Sequence, residues 1–162
     1  MTKVIRPKMK DYGIHEDRDG MLAWDFVDEQ MAKSRNYWIN TTQPDGRPHA
    51  APVWGVWLNG NLYFGTSPNA RKARNLDANP AMVVHLESGD DVVILEGTAV
   101  KLTNMSPELY EAFSSAYAAK YAGFKPNPPS ETEPLYTLRI QTAMAWLERD
   151  FPRTATRWEF EA

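Results

Sequence analysis

The sequence predicts a mainly β fold with added helices, an antiparallel barrel of the α+β class. Short runs rich in aromatic and β-branched residues recur along the chain, with turn signals such as Pro44-Asp45-Gly46 and Asn59-Gly60 between them. Two other segments carry apolar residues at three- and four-residue intervals, and a third opens on a helix-capping dipeptide.

Residues 1–20 show little periodicity and read as an N-terminal arm, which leaves 21–162 as a single domain in a chain of 162 residues. Trp24, Val27 and Met31 share one face of a first helix that should end near Ser34-Arg35. "NYWINTT" then alternates apolar and polar residues, "QPDGRP" supplies a turn, and "HAAPVWGVWL" reads as a second strand. Asn59-Gly60 favours a hairpin into "NLYFGTS".

Ser67 suits a helix N-cap and Pro68 the first helical position, so a short helix is expected over 68–78, closed by Asn79-Pro80. "AMVVHLES" and "DVVILEGTAVKLT" are further strands, with Gly97 marking a bulge. Ser106-Pro107 repeats the capping signature before a third helix whose Leu109, Phe113, Ala116 and Tyr117 share a face. Residues 123–134 hold four prolines and read as a surface loop, after which "LYTLRIQTAMAWLE" and "TATRWEF" close the chain as strands.

Composition narrows the function classes. No apolar run approaches the roughly 20 residues of a membrane-spanning helix. The N-terminus is polar and of mixed charge, without the apolar centre of a secretory signal, so a cytoplasmic location is expected. Cysteine is absent and only three scattered histidines remain for a transition metal, so no metal site is expected. A formal net charge of −3 with one short basic segment speaks against nucleic-acid binding. Spacing gives no Ser-His-Asp set and no paired carboxylates, hence no hydrolase.

That basic segment is "SPNARKARNL", where Arg71, Lys72 and Arg74 follow the capping dipeptide. A helix N-terminus offers unpaired N–H groups and partial positive charge, so Ser67, the amides of Asn69 and Ala70, Arg71 and Lys72 can cradle a phosphate. The same cations can equally form a solvated helix face. In "GRPHAAPVWGVW", Pro48 and Pro52 lack the N–H a ladder needs, which marks an edge, a bulge or a place where something other than a strand lies alongside. Trp54 and Trp57 are either aromatic faces there or core fillers. His49 reads as a half-exposed strand histidine.

In this order, "GRPHAAPVW", the Asn-Gly hairpin, "LYFGTSPNARKARNL", "NPAMVVHLES" and "VVILEGTAV" resemble the pyridoxamine 5'-phosphate oxidase-like split barrels, a superfamily that binds FMN or deazaflavins. The likeness runs from about Trp38 to Leu102, with a fainter echo in "TATRWEF". It implies a six-stranded antiparallel split β-barrel of the FMN-binding type and a homodimer with a cofactor in each of two interface grooves. It further implies a flavin- or deazaflavin-dependent oxidoreductase that transfers hydride to or from a small organic substrate. Carried over by position, Ser67, Arg71 and Lys72 would hold the cofactor phosphate, with Asn75 supporting that segment. Pro52, Val53 and Trp54 would run beside the tricyclic ring, and Trp158 would reach the neighbouring protomer's ring. The family's vitamin B6 oxidases are longer and end in an Arg-X-His segment, whereas this chain has Thr156-Arg157-Trp158-Glu159-Phe160. FMN and coenzyme F-420 both remain open. The second carries an acidic tail that needs a longer positive groove, to which Arg74 and the arm's Arg6, Lys8 and Lys10 could contribute. The alternative is a carrier or sensor that binds a flavin or haem-like ring without turnover.

Overall fold

A computed structural model describes residues 2–161. The strands are β1 (Lys3–Ile5), β2 (Tyr37–Thr42), β3 (Pro48–Val53), β4 (Val56–Leu58), β5 (Asn61–Gly65), β6 (Ala81–His85), β7 (Asp91–Leu102), β8 (Leu135–Leu147) and β9 (Thr156–Glu159). The helices are α1 (Trp24–Lys33), α2 (Arg71–Ala78), α3 (Pro107–Lys120) and the single turn α4 (Phe151–Thr154). Strand neighbours run β1-β9-β8-β7-β6-β2-β3, while β4 pairs β5 and β5 pairs β8. Every pairing is antiparallel. With β3 and β4 taken as one kinked strand, the circuit β2, β3/β4, β5, β8, β7, β6 returns to β2 and closes a barrel.

The closing element is the β7/β8 hairpin, whose register runs from Asp91↔Leu147 to Leu102↔Leu135. β8 is long enough to pair β5 at its start and β9 near its end. The register slips at Glu96/Gly97, the bulge expected at that glycine. A Cβ at Gly97 would collide with the backbone of Arg139, so only glycine lets the two strands approach there. Tyr37, Ile39, Phe64, Val84, Leu95, Leu138 and Trp158 fill the interior with α1 and α2 residues Val27, Met31, Ala73 and Leu76. A second cluster of Val56, Tyr63, Phe113, Tyr117, Tyr121 and Leu135 seats α3 on β4 and β5.

Several expectations change. "HAAPVWGVWL" is not one regular strand: it breaks at Trp54-Gly55 into β3 and β4. A Cβ at Gly55 would stand 2.9 Å from the Tyr63 carbonyl oxygen and 3.3 Å from Tyr37 Cδ2, so the kink needs a residue without one. The second helix starts at Arg71 rather than residue 68. Ser67 instead closes a turn, its Oγ accepting from the Asn69 amide (3.2 Å) and its carbonyl from the Ala70 amide (2.9 Å). Ser106 caps α3 as expected, accepting from the Leu109 amide at 3.2 Å.

In the arm, Lys3–Ile5 pair with β9, and Arg6 donates to four carbonyls, those of Asp17, Asp19, Arg153 and Ala155. Arg6 therefore holds the arm to α4 and β9 and is not available to extend a positive groove beside α2. No helix among the described residues is long and apolar enough to cross a membrane.

Candidate functional site

Among the described residues β3 ends the strand path and pairs with β2 alone, so its other edge is open. Pro48, Ala50 and Pro52 are exposed along it, while Val53 turns inward and is buried. The prolines suit this position, because an edge strand has no outer partner for the missing N–H groups. His49 is half-buried on the same strand, and its Nδ1 is buried without a hydrogen-bond partner.

α2 packs against β2 and β3. Ala73, Asn75 and Leu76 form its buried face, which leaves Arg71 and Arg74 exposed and Lys72 half-buried. Asn75 is only 1% exposed; its Nδ2 donates to Thr41 Oγ1 (2.9 Å), and its Oδ1 has no partner. That bond fastens the helix to β2. Ala70, the N-cap, supplies no side-chain acceptor, so the first-turn amides of Arg71, Lys72 and Ala73 are left uncapped. Among the described residues, no carboxylate lies within ion-pair distance of Arg71, Lys72 or Arg74. Arg71 also acts at longer range on Asp45, whose carboxyl is held below its usual value chiefly by Arg47.

The kink between β3 and β4 brings in residues that sequence spacing did not single out. Trp54 is 43% exposed and stacks on Tyr121 with centroids 4.5 Å apart and planes 8° from parallel. The Gly55 amide donates to the Tyr121 hydroxyl (2.9 Å), which lies 2.6 Å from the Arg35 carbonyl and 2.9 Å from the Gly55 carbonyl and donates to one of them. Lys120 Nζ donates to the Gly55 carbonyl (3.0 Å) and to Tyr37 Oη (2.7 Å). Burial, and secondarily the Arg35 charge, lower the Lys120 pKa to about 8. Burial raises Tyr37 well above an ordinary tyrosine. Two adjacent residues at the end of α3 thus satisfy the Gly55 backbone groups that the kink removes from the ladder.

The other expected residues fall elsewhere. Trp57 does not face the β3 edge: its Nε1 donates to Asp28 Oδ1 (2.9 Å), and its ring packs on the core. Trp158 is 2% exposed, packs edge-on against Trp24 at 5.5 Å, and with Leu22, Trp24 and Phe160 lines a cavity of about 490 Å³. Ser67 lines a cleft of about 440 Å³ with Thr66, Asn127, Glu133 and Leu135. None of the α2 cations lines that cleft. The packing of α2 on β2 and β3 sets its cations beside the open β3 edge, whereas Ser67 faces a separate cleft and Trp158 lies in the core.

No curated protein matches the sequence. Among solved structures, the conserved hypothetical protein Rv2991 from Mycobacterium tuberculosis superposes with a TM-score of 0.67 at 22% identity, over 82% of this chain and 89% of that one. An F-420 reductase does so with a TM-score of 0.54 at 22% identity, over 71% of this chain and 94% of that one. A heme-binding protein from Mycobacterium smegmatis gives 0.60 at 22% identity, over 77% of this chain and 54% of that one. At these identities the likeness speaks to the fold. The sequence model described as pyridoxamine 5'-phosphate oxidase matches residues 23–147, from the start of α1 through the end of β8. The closed barrel, its open β3 edge and that match together make this chain a member of the pyridoxamine 5'-phosphate oxidase-like split-barrel family.

Proposed function

We propose that this chain is a flavin- or deazaflavin-dependent oxidoreductase that works as a homodimer, binds FMN or coenzyme F-420, and exchanges hydride with a small organic substrate. The observation that carries this reading is the unpaired basic face of α2 beside an open, proline-bearing strand edge. The donor set fits a phosphate. Ser67 offers a hydroxyl, Arg71 a bidentate fork, Lys72 a compact charge, and the uncapped first turn of α2 its amides. Asn75 anchors the helix from inside the barrel through Thr41. The backbone of Pro52, Val53 and Trp54 would border the ring, and Pro52 leaves no N–H there that the ring must satisfy.

When bound, the ring supplies the hydride chemistry, so the protein has to position it and keep water from its reactive face. Trp158 would reach the neighbouring protomer's ring through the cavity that it lines with Leu22, Trp24 and Phe160. Arg6 is held by carbonyls of α4 and of the residue before β9, whereas Arg74 stays on α2 and would serve a longer acidic tail.

The heme-binding neighbour, together with the unpartnered His49 Nδ1 on β3, supports a second reading in which a ring is carried without turnover. Calorimetric titration with FMN, F-420 and haem, followed by stopped-flow reduction and reoxidation of whatever binds, tests both. Micromolar binding of FMN or F-420 with rapid turnover is expected. No binding of either sinks the proposal, and tight binding with only sluggish redox exchange favours the carrier.

A further inference from the structure

We propose that the open face of Trp54 and the guanidinium of Arg35 form a recognition platform for a planar aromatic ligand that carries a carboxylate. This deepens the functional reading above and rests on it for the ligand's role as substrate. The binding itself needs no cofactor.

The geometry of three groups carries it. Trp54 and Tyr121 stack at 4.5 Å, and Arg35 Cζ lies 5.3 Å from the first centroid and 5.4 Å from the second. A cation over the outer face of one ring would be nearer that ring by about the stacking distance. Nearly equal distances put Arg35 at the flank of the stack and off the outer face of Trp54. One face of Trp54 is therefore on Tyr121, the other is clear of Arg35, and the residue is 43% exposed. The result is a bare indole face with a guanidinium at its rim.

Charge selects the ligand. Among the described residues, neither Arg35 nor Lys120 has a carboxylate within ion-pair distance. Lys120 spends two of its three N–H donors on Tyr37 and Gly55, and lies close enough to Arg35 for the two charges to oppose each other. An arriving anion relieves that repulsion, whereas a cationic ligand adds to it. A carboxylate can take the Arg35 fork bidentately while its own ring stacks on Trp54. An aliphatic acid forgoes the stacking, and a neutral aromatic forgoes the charge contact. The Trp54 backbone belongs to the ring-bordering segment Pro52-Val53-Trp54, so a ligand seated on its indole face lies next to the proposed cofactor groove.

Calorimetric titration of the purified protein with 2-naphthoate and with its neutral counterpart 2-naphthylmethanol, with and without saturating FMN, tests the platform. The acid should bind about tenfold more tightly than the alcohol or better, as expected for a charge-assisted bidentate contact. Arg35→Gln should bring the acid down to the alcohol's level, and Trp54→Leu should weaken both. Saturating FMN should leave the acid's affinity in place. Equal affinity for acid and alcohol, indifference to either substitution, or displacement of the acid by FMN would overturn the platform. Naphthoate binding without any FMN or F-420 binding would retain the platform and remove the oxidoreductase reading. FMN binding without naphthoate binding would do the reverse.

Discussion

Arg71, Lys72 and Arg74 differ in their surroundings more than in their charge. Arg71 is exposed and within electrostatic reach of Asp45, Arg74 is exposed on the same helix, and Lys72 is half-buried with no carboxylate partner. A half-buried lysine held without an ion pair contributes little to folding, so its removal separates binding from stability. Lys72→Ala is expected to weaken FMN or F-420 binding by about 1.5–3 kcal/mol, the scale of a hydrogen bond to a charged group. Its denaturation midpoint should stay near that of the wild type, within the roughly 0.5 kcal/mol range of surface substitutions. Calorimetry and urea unfolding of the same preparation check both, and unchanged affinity would remove Lys72 from the site. Asn75 is the counterexample on the same helix: buried and bonded to Thr41, it serves the position of the cations rather than the ligand.

At the scale of elements, the end of α3 and the β3/β4 kink form one unit. Gly55 leaves the ladder, and its amide and carbonyl are taken up by Tyr121 and Lys120. The groups facing the Lys120 ammonium are the Arg35 cation, the Tyr37 and Tyr121 rings and hydroxyls, and the Gly55 carbonyl. None of these is a carboxylate, so its pKa falls to about 8 from 10.5. Between those values the unfolded chain holds the proton and the folded one has released it, so this group makes stability rise with pH. Tyr117, pushed up to about 12 by burial, and Tyr37, raised further, act oppositely above pH 10, where the unfolded chain loses protons first. The stability of the wild type relative to Lys120→Met should therefore increase from pH 7 to pH 9.5, measured by urea denaturation at each pH. A gap that stays constant or narrows would mean that Lys120 keeps its proton across that range.

For the molecule as a whole, the open β3 edge and the exposed Trp54 lie on the outside of an otherwise closed barrel. A strand edge left unpaired in a folded protein invites another chain, and the homodimer we propose would cover it. Native mass spectrometry should give a species of two chains, with cofactor mass added in whole equivalents. A monomer at micromolar concentration would count against grooves built between protomers.

Much of the architecture was legible because it rests on local rules. The alternation in "NYWINTT", the β-branched run of "DVVILEGTAVKL", the Asn59-Gly60 hairpin, the Ser106-Pro107 cap and the Gly97 bulge are each dictated within a few residues. The prolines of "GRPHAAPVW" narrowed that segment to an edge, a bulge or a strand with something other than a strand beside it, since a missing N–H is a property of the residue itself, and the fold makes it an edge. Local rules also misplaced the start of α2, because a Ser-Pro turn and a Ser-Pro cap use the same residues and only the hydrogen bonds of Ser67 separate them. Contacts over long separations had no such signature. Tyr121 meets Gly55 and Arg35 across 66 and 86 residues, Arg6 holds carbonyls near the far end of the chain, and Trp158 is buried against Trp24. The sequence by itself determined the succession of strands and helices, the family and the clustering of three cations on α2, since these depend on residue chemistry and its order. The tertiary structure alone decided which cations are spent on the fold, which tryptophan stays exposed, and that Arg35 and Lys120 converge on one kink, since burial and proximity exist only once the barrel has closed.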